Sequence, residues 1–191
     1  MEFKFFTDLI GALGKVASGL KALVQIPKTE RESIRRTLDE TYRLIDTTLN
    51  MVIIRLGDIQ LETADDNFLC EVARLDNYND WMQAEREFRL CRGLRVALRE
   101  TETLAGRLAG AVSAKDWGAL LLQMHTILAA EGEVALFISQ QFQQLANDAR
   151  SAEQDTKRTQ SVRDALAAFR ASLVAERQEL IKQQLVLYDI V

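Results

Sequence analysis

The chain has one proline, one histidine and two cysteines among 191 residues. Each shortage excludes something. A single histidine rules out, by count alone, paired-histidine zinc sites and the Glu-x-x-His pairs of di-iron helical bundles. Cys70 and Cys91 stand in separate segments without metal-type spacing, so both are expected to be reduced and structural. No apolar run reaches the roughly 18 uninterrupted residues that an ordinary transmembrane helix needs. The start of the chain also fails as a secretory signal. Glu2 precedes its apolar part, Asp8 and Lys15 interrupt it, and no small-residue cleavage site follows. A cytoplasmic location is therefore expected.

With one proline and nine glycines there is little to break helices, and the Ala, Leu, Glu, Gln and Arg content favours them throughout. The expected fold class is all-α. A content of 48% hydrophobic and 27% charged residues fits one globular domain and argues against disorder. The net charge of -4 argues against a dedicated nucleic-acid binder, because phosphate contacts require a basic surface.

Catalytic constellations are scarce as well. His125 lies between Met124 and Thr126 inside a helical pattern and reads as a structural or surface histidine. Helical-bundle nucleases of the HEPN type carry an Arg shortly before their His, whereas here the nearest upstream arginine is Arg107. No Walker-type glycine loop is present, and the pairs Glu85/Glu87 and Glu131/Glu133 diverge on a helix. No catalytic, metal or cofactor-binding residue is assigned, no cofactor is expected, and the chain is not read as an enzyme.

What is present begins at Met1. On a helical wheel Phe5, Phe6, Leu9, Ile10, Leu13, Val16, Ala17, Leu20, Leu23 and Val24 occupy an arc of roughly 140°. Lys4, Asp8, Lys15, Ser18 and Lys21 gather opposite, and Gly11, Gly14 and Gly19 share that polar half. Each glycine costs about 1 kcal/mol relative to Ala, so this helix needs a surface, protein or lipid, to fold against. Lys on the polar face with Phe and Leu on the other is the pattern of interfacial helices, although most amphipathic helices simply pack on neighbours. Phe3, Phe5, Phe6, Leu9, Ile10, Leu13, Val16 and Leu20 are the membrane-insertion candidates. Lys4, Lys15 and Lys21 are the candidates for headgroup contact.

Pro27 closes this first segment, 1–26, and the remainder, 27–191, reads as a helical bundle within a single domain. Thr29 with Glu32 forms a capping box for the second helix. Ile34, Leu38, Tyr42, Ile45, Leu49, Val52, Leu56 and Ile59 then make a heptad seam of about 30 residues. The run Met51 to Ile54 widens it, which places this helix centrally. Thr63 to Asn67 reads as a turn before a short connector helix carrying Phe68, Leu69, Val72 and Leu75. After a polar break, Asp76 to Asp80, a fourth helix starts at Trp81, capped by Asn79 or Asp80, and runs to about Val112. The arginines Arg86, Arg89, Arg92, Arg95 and Arg99 wind around it among acidic neighbours, either as a solvated face or as contacts for phosphates or anionic lipid.

A fifth helix follows with Trp117, Leu121, Met124, Leu128, Ala135, Ile138, Phe142 and Leu145 on its seam. From Ala146 to Gln160 the stripe fades. The preferred reading is a hairpin turn, with Ser161 and Asp164 capping a last helix whose seam is Val162, Leu166, Phe169, Leu173 and Leu180; continuous helix is the alternative. That seam loses purity at Glu176 and Gln183, and an apolar end from Leu185 to Val191 follows. Long helices with short connections give an elongated antiparallel bundle of four, with the connector and the N-terminal helix as accessories.

This order of parts, with FKFFTDLIGALGKVASGLKALV ahead of long helices and a short connector, resembles the HeLo, RPW8 and MLKL family of four-helix-bundle domains in cell-death and immune effectors. The resemblance is one of layout, without a diagnostic motif. It implies a domain that self-associates after a trigger, is recruited to an anionic membrane surface and perturbs it through its first helix. The competing expectation is a non-catalytic, oligomeric interaction scaffold with a protein partner, whose first helix is ordinary core. A curved membrane-binding dimer of the BAR type is disfavoured by the acidic balance.

Overall fold

The computed structural model describes residues 28–77, 138–152 and 155–188, together with the single positions Gly11, Gly14, Arg99, Thr103 and Leu122. The described residues are helical apart from short turns, with no strand among them, so the fold class is all-α. Four helical segments carry the description. They are α1 (Lys28–Gln60), α2 (Asp65–Ala73), α3 (138–151) and α4 (Thr156–Tyr188).

The second-helix seam is realised along α1. From Tyr42 onward its predicted positions Ile45, Leu49, Val52, Leu56 and Ile59 are all buried. Ile53 joins them, Met51 is half-buried and Ile54 points outward, so the widening extends by one residue only. Lys28 is already helical, which puts Thr29 inside the helix and not at its cap. On α4 the seam Val162, Leu166, Phe169, Leu173 and Leu180 is buried as the spacing predicts. Burying each such side chain contributes about 1.5 to 3 kcal/mol, far more than any surface pair can.

Helices α1 and α4 run antiparallel. Asp39 accepts from Gln184 Nε2 at 2.7 Å, Asp46 from Arg177 Nε at 2.6 Å, and the Ile53 carbonyl from Arg170 Nε at 3.2 Å. Each step of seven residues along α1 is met by seven in the reverse direction along α4. The polar ladder thus repeats with the heptad and flanks the apolar seam. Arg163, one further step along α4, donates to the Glu62 carbonyl and to Asp65, both at 2.9 Å, and lies 4.0 Å over the Phe68 ring. This arginine links α4 to the connector.

Asp65 and Asp66 fall in the first turn of α2, where the helix dipole favours acids, so the connector starts inside the stretch that reads as a turn. Phe68, Leu69, Val72 and Leu75 are buried as expected. Residues 75–77 are helical again, so the polar break does not begin at Asp76.

A hairpin joins α3 to α4, where the Asp155 N–H donates to the Ala152 carbonyl at 3.0 Å. Its cap is Asp155, whose Oδ1 accepts from the backbone N–H groups of Lys157 and Arg158 at 3.0 and 3.3 Å. Ser161 and Asp164 lie inside α4, contrary to the sequence expectation. The stripe that fades after Leu145 continues in small residues, with Ala146, Ala149 and Ala152 all buried. Phe142 and Phe169 pack edge to face at 6.3 Å across the hairpin, and Arg150 ties α3 to the Ala73 carbonyl and to Asp76.

Candidate functional site

All the membrane-insertion and headgroup candidates named above lie outside the described residues, as do Arg86, Arg89, Arg92, Arg95, His125 and Cys91. Of the arginine run, Arg99 is described and is exposed on a helix. Cys70 is exposed on α2. Within the first segment, Gly11 and Gly14 are described, and both are helical.

Those two glycines differ in their surroundings. Gly11 is exposed, and a Cβ built on it would meet nothing within 4 Å. At Gly14, which is half-buried, a Cβ would come 2.6 Å from Gln183 Oε1 and 3.3 Å from its Cδ. A Cβ there would require the flexible end of the Gln183 side chain to move aside. Gln183 is one of the two residues at which the α4 seam loses its apolar character.

Around this contact the end of α4 is built from polar pairs. Gln183 Nε2 donates to Glu179 Oε1 at 3.0 Å, and Lys182 Nζ reaches Glu179 Oε2 at 3.3 Å. The hydrogen bond from the Gln183 amide, followed by that from the Lys182 ammonium, holds the Glu179 carboxyl below the ordinary carboxylate value. With its nitrogen engaged, the Gln183 amide presents its oxygen toward Gly14. On the α1 side, Gln184 and Tyr188 both donate to Asp39, and the Arg35 guanidinium lies 5.7 Å from the Tyr188 ring centre.

Beside this polar flank runs an apolar stripe. Ile181, Leu185 and Tyr188, spaced four and three, are all exposed, while Leu180 is fully buried. The end of the α1 and α4 pair therefore combines a covered core, a solvent-facing stripe and a glycine contact from the first segment. Sequence reasoning named the apolar end and the loss of seam purity at Gln183 but not their link to Gly14. The pairing depends on the register of two segments far apart in the chain, which no local pattern encodes.

Chemically the arrangement is one of packing and amide contact. Among the described residues no group of acidic, His or Cys side chains is placed to hold a metal ion. No helix among them is long and apolar enough to cross a membrane. Comparison with protein-family models, with curated proteins and with solved structures finds no match.

Proposed function

We propose that this chain is a non-enzymatic, membrane-perturbing helical bundle, an effector of the cell-death or immune kind, that acts on an anionic membrane surface through Met1 to Ile26. In this reading α1, α3, α4 and the segment 81–112 form an elongated four-helix bundle, and the amphipathic segment is its accessory. The observation that carries the proposal is that the seam positions of α1 and α4, from Tyr42 to Leu180, are buried where the two helices pack. In this reading the arc of Phe5, Leu9 and Leu13 meets lipid and Lys4, Lys15 and Lys21 meet headgroups, as the sequence pattern of an interfacial helix expects. Placing Glu at both Leu9 and Leu13 tests it: dye release from anionic vesicles should be lost while helicity stays. Release at the wild-type rate from that variant contradicts the proposal.

The half-burial of Gly14 against Gln183 favours a second reading, an interaction scaffold whose first helix is permanent core. It expects the intact chain to ignore vesicles and the chain without 1–26 to unfold.

A further inference from the structure

We propose that the connector α2 is a strap that opens on its own, under ionic control, while α1, α3 and α4 keep their seams closed. The strap is independent of the membrane reading above.

Alone, this element has little to hold it in a helix. It spans nine residues, fewer than the roughly 12 that an isolated helix needs, and its N-cap Ala64 supplies no side-chain cap. Its order therefore comes from the long helices, through two kinds of contact. The first is apolar and short, the burial of Phe68, Leu69 and Val72, with Leu75 just beyond.

The second is ionic, and its polarity is uniform. Arg55 of α1 donates to Glu71 at 2.7 Å, Arg163 of α4 to Asp65 at 2.9 Å, and Arg150 of α3 to Asp76 and the Ala73 carbonyl. In each pair the carboxylate belongs to the strap or the turn after it, and the guanidinium to a different long helix. Arg74, at the end of the strap, adds a bond to Glu71, and Arg163 also bonds the Glu62 carbonyl in the preceding turn. All three pairs are partly exposed, so dissolved ions reach them.

The long helices meet without the strap. The α1 to α4 ladder runs through Asp39, Asp46 and the Ile53 carbonyl, and Phe142 meets Phe169 between α3 and α4. The far end of the strap is also seated at a cost, since Asp76 Oδ1 is buried with no hydrogen-bond partner among the described residues. Elements with few apolar anchors and exposed polar ties open first. Opening uncovers the apolar face of the strap and frees three guanidiniums at once, which makes it a control on access to this end of the α1 and α4 pair.

Native-state hydrogen exchange of the full chain tests the strap, read at the amides of 68–74 against those of 49–56 and 166–173. Raising sodium chloride from about 0.05 M to about 0.5 M should speed exchange at 68–74 about fivefold and change the long helices less than about twofold. Arg150→Gln and Arg163→Gln should each speed exchange at 68–74 several-fold at low salt. Each should also weaken the salt response there, because a tie already cut cannot be screened. Exchange at 68–74 that is as slow as in the long helices, or that salt leaves unchanged, overturns the strap. A salt response that neither variant diminishes overturns its ionic control.

Discussion

Asp46 and Arg177 meet through two hydrogen bonds, Nε to Oδ1 at 2.6 Å and Nη2 to Oδ2 at 3.2 Å, near the middle of two antiparallel helices of 33 residues each. The carboxylate holds the guanidinium above its ordinary value, chiefly through the hydrogen bond. Arg177 flanks the apolar seam of α4 between Leu173 and Leu180, next to the seam position held by Glu176. The pair opposes a one-heptad slip toward Gln184, which would set a neutral amide opposite Asp46 in place of the guanidinium.

Both partners are about 30% exposed, so the pair is expected to be worth only about 1 kcal/mol. Arg177→Ala and Asp46→Ala should each lower stability by roughly that amount in urea unfolding, and the double variant by less than their sum. Strict additivity would show that the pair is not coupled. Asp46→Arg should cost more than either alanine, and adding Arg177→Asp should recover part of the loss.

Gly57 and Arg170 give a second coupling. A Cβ at Gly57 would come 3.2 Å from Arg170 Nε, the atom that donates to the Ile53 carbonyl. Glycine inside a helix costs about 1 kcal/mol relative to Ala. In the wild-type chain Gly57→Ala should therefore gain nothing, because Arg170 is displaced from its carbonyl. After Arg170→Ala the same change should stabilise by about 1 kcal/mol. An equal effect of Gly57→Ala in both backgrounds contradicts the notch.

Tyr42 is fully buried on the α1 seam, and its hydroxyl has no hydrogen-bond partner among the described residues. An orphaned buried hydroxyl costs about 1 to 3 kcal/mol, so Tyr42→Phe should preserve or raise stability. Burial also pushes the phenol above its ordinary value of 10.0. The unfolded chain then loses that proton first as the pH rises, and stability should decline above about pH 10. The phenylalanine variant should show less of that decline in alkaline urea melts; an identical decline would place the cause elsewhere.

Acid should act through Glu71. Arg55 hydrogen-bonds it at 2.7 Å and, with Arg74 adding to the effect, holds its carboxyl below the ordinary 4.5. Because the folded value is the lower one, the contribution is complete above the unfolded value and disappears as the pH falls through the folded one. Urea midpoints should be flat from pH 7 to about 5 as far as this group is concerned and drop below about 4.5. Glu71→Gln should lower stability at pH 7 and show a shallower acid slope. A parallel slope for the two proteins contradicts the assignment.

Heptad spacing made the two long described helices legible, because a seam such as Leu49, Val52, Leu56 and Ile59 is a local signal repeated many times. The connector was legible for the same reason. The last cap was not. Several polar residues near Ser161 could serve as a cap, and what decides for Asp155 is buried Ala149 and Ala152 carrying α3 further than their small size suggests. The register was equally hidden, since Arg163, Arg170 and Arg177 look like solvated surface until their α1 and α2 partners are placed opposite. At the candidate site, the segregation of Phe5, Leu9 and Leu13 from Lys4 and Lys15 was readable from the chain. The contact between Gly14 and Gln183 joins positions 169 residues apart and was not.

The central claim is that Met1 to Ile26 acts on lipid while the remaining helices hold themselves together. Vesicle co-sedimentation tests it most directly, comparing the full chain with a chain lacking 1–26 and recording the helicity of both by circular dichroism. The account predicts that the full chain sediments with anionic vesicles and that the shortened chain stays helical in the supernatant. A shortened chain that unfolds, or one that sediments as well as the full chain, contradicts it.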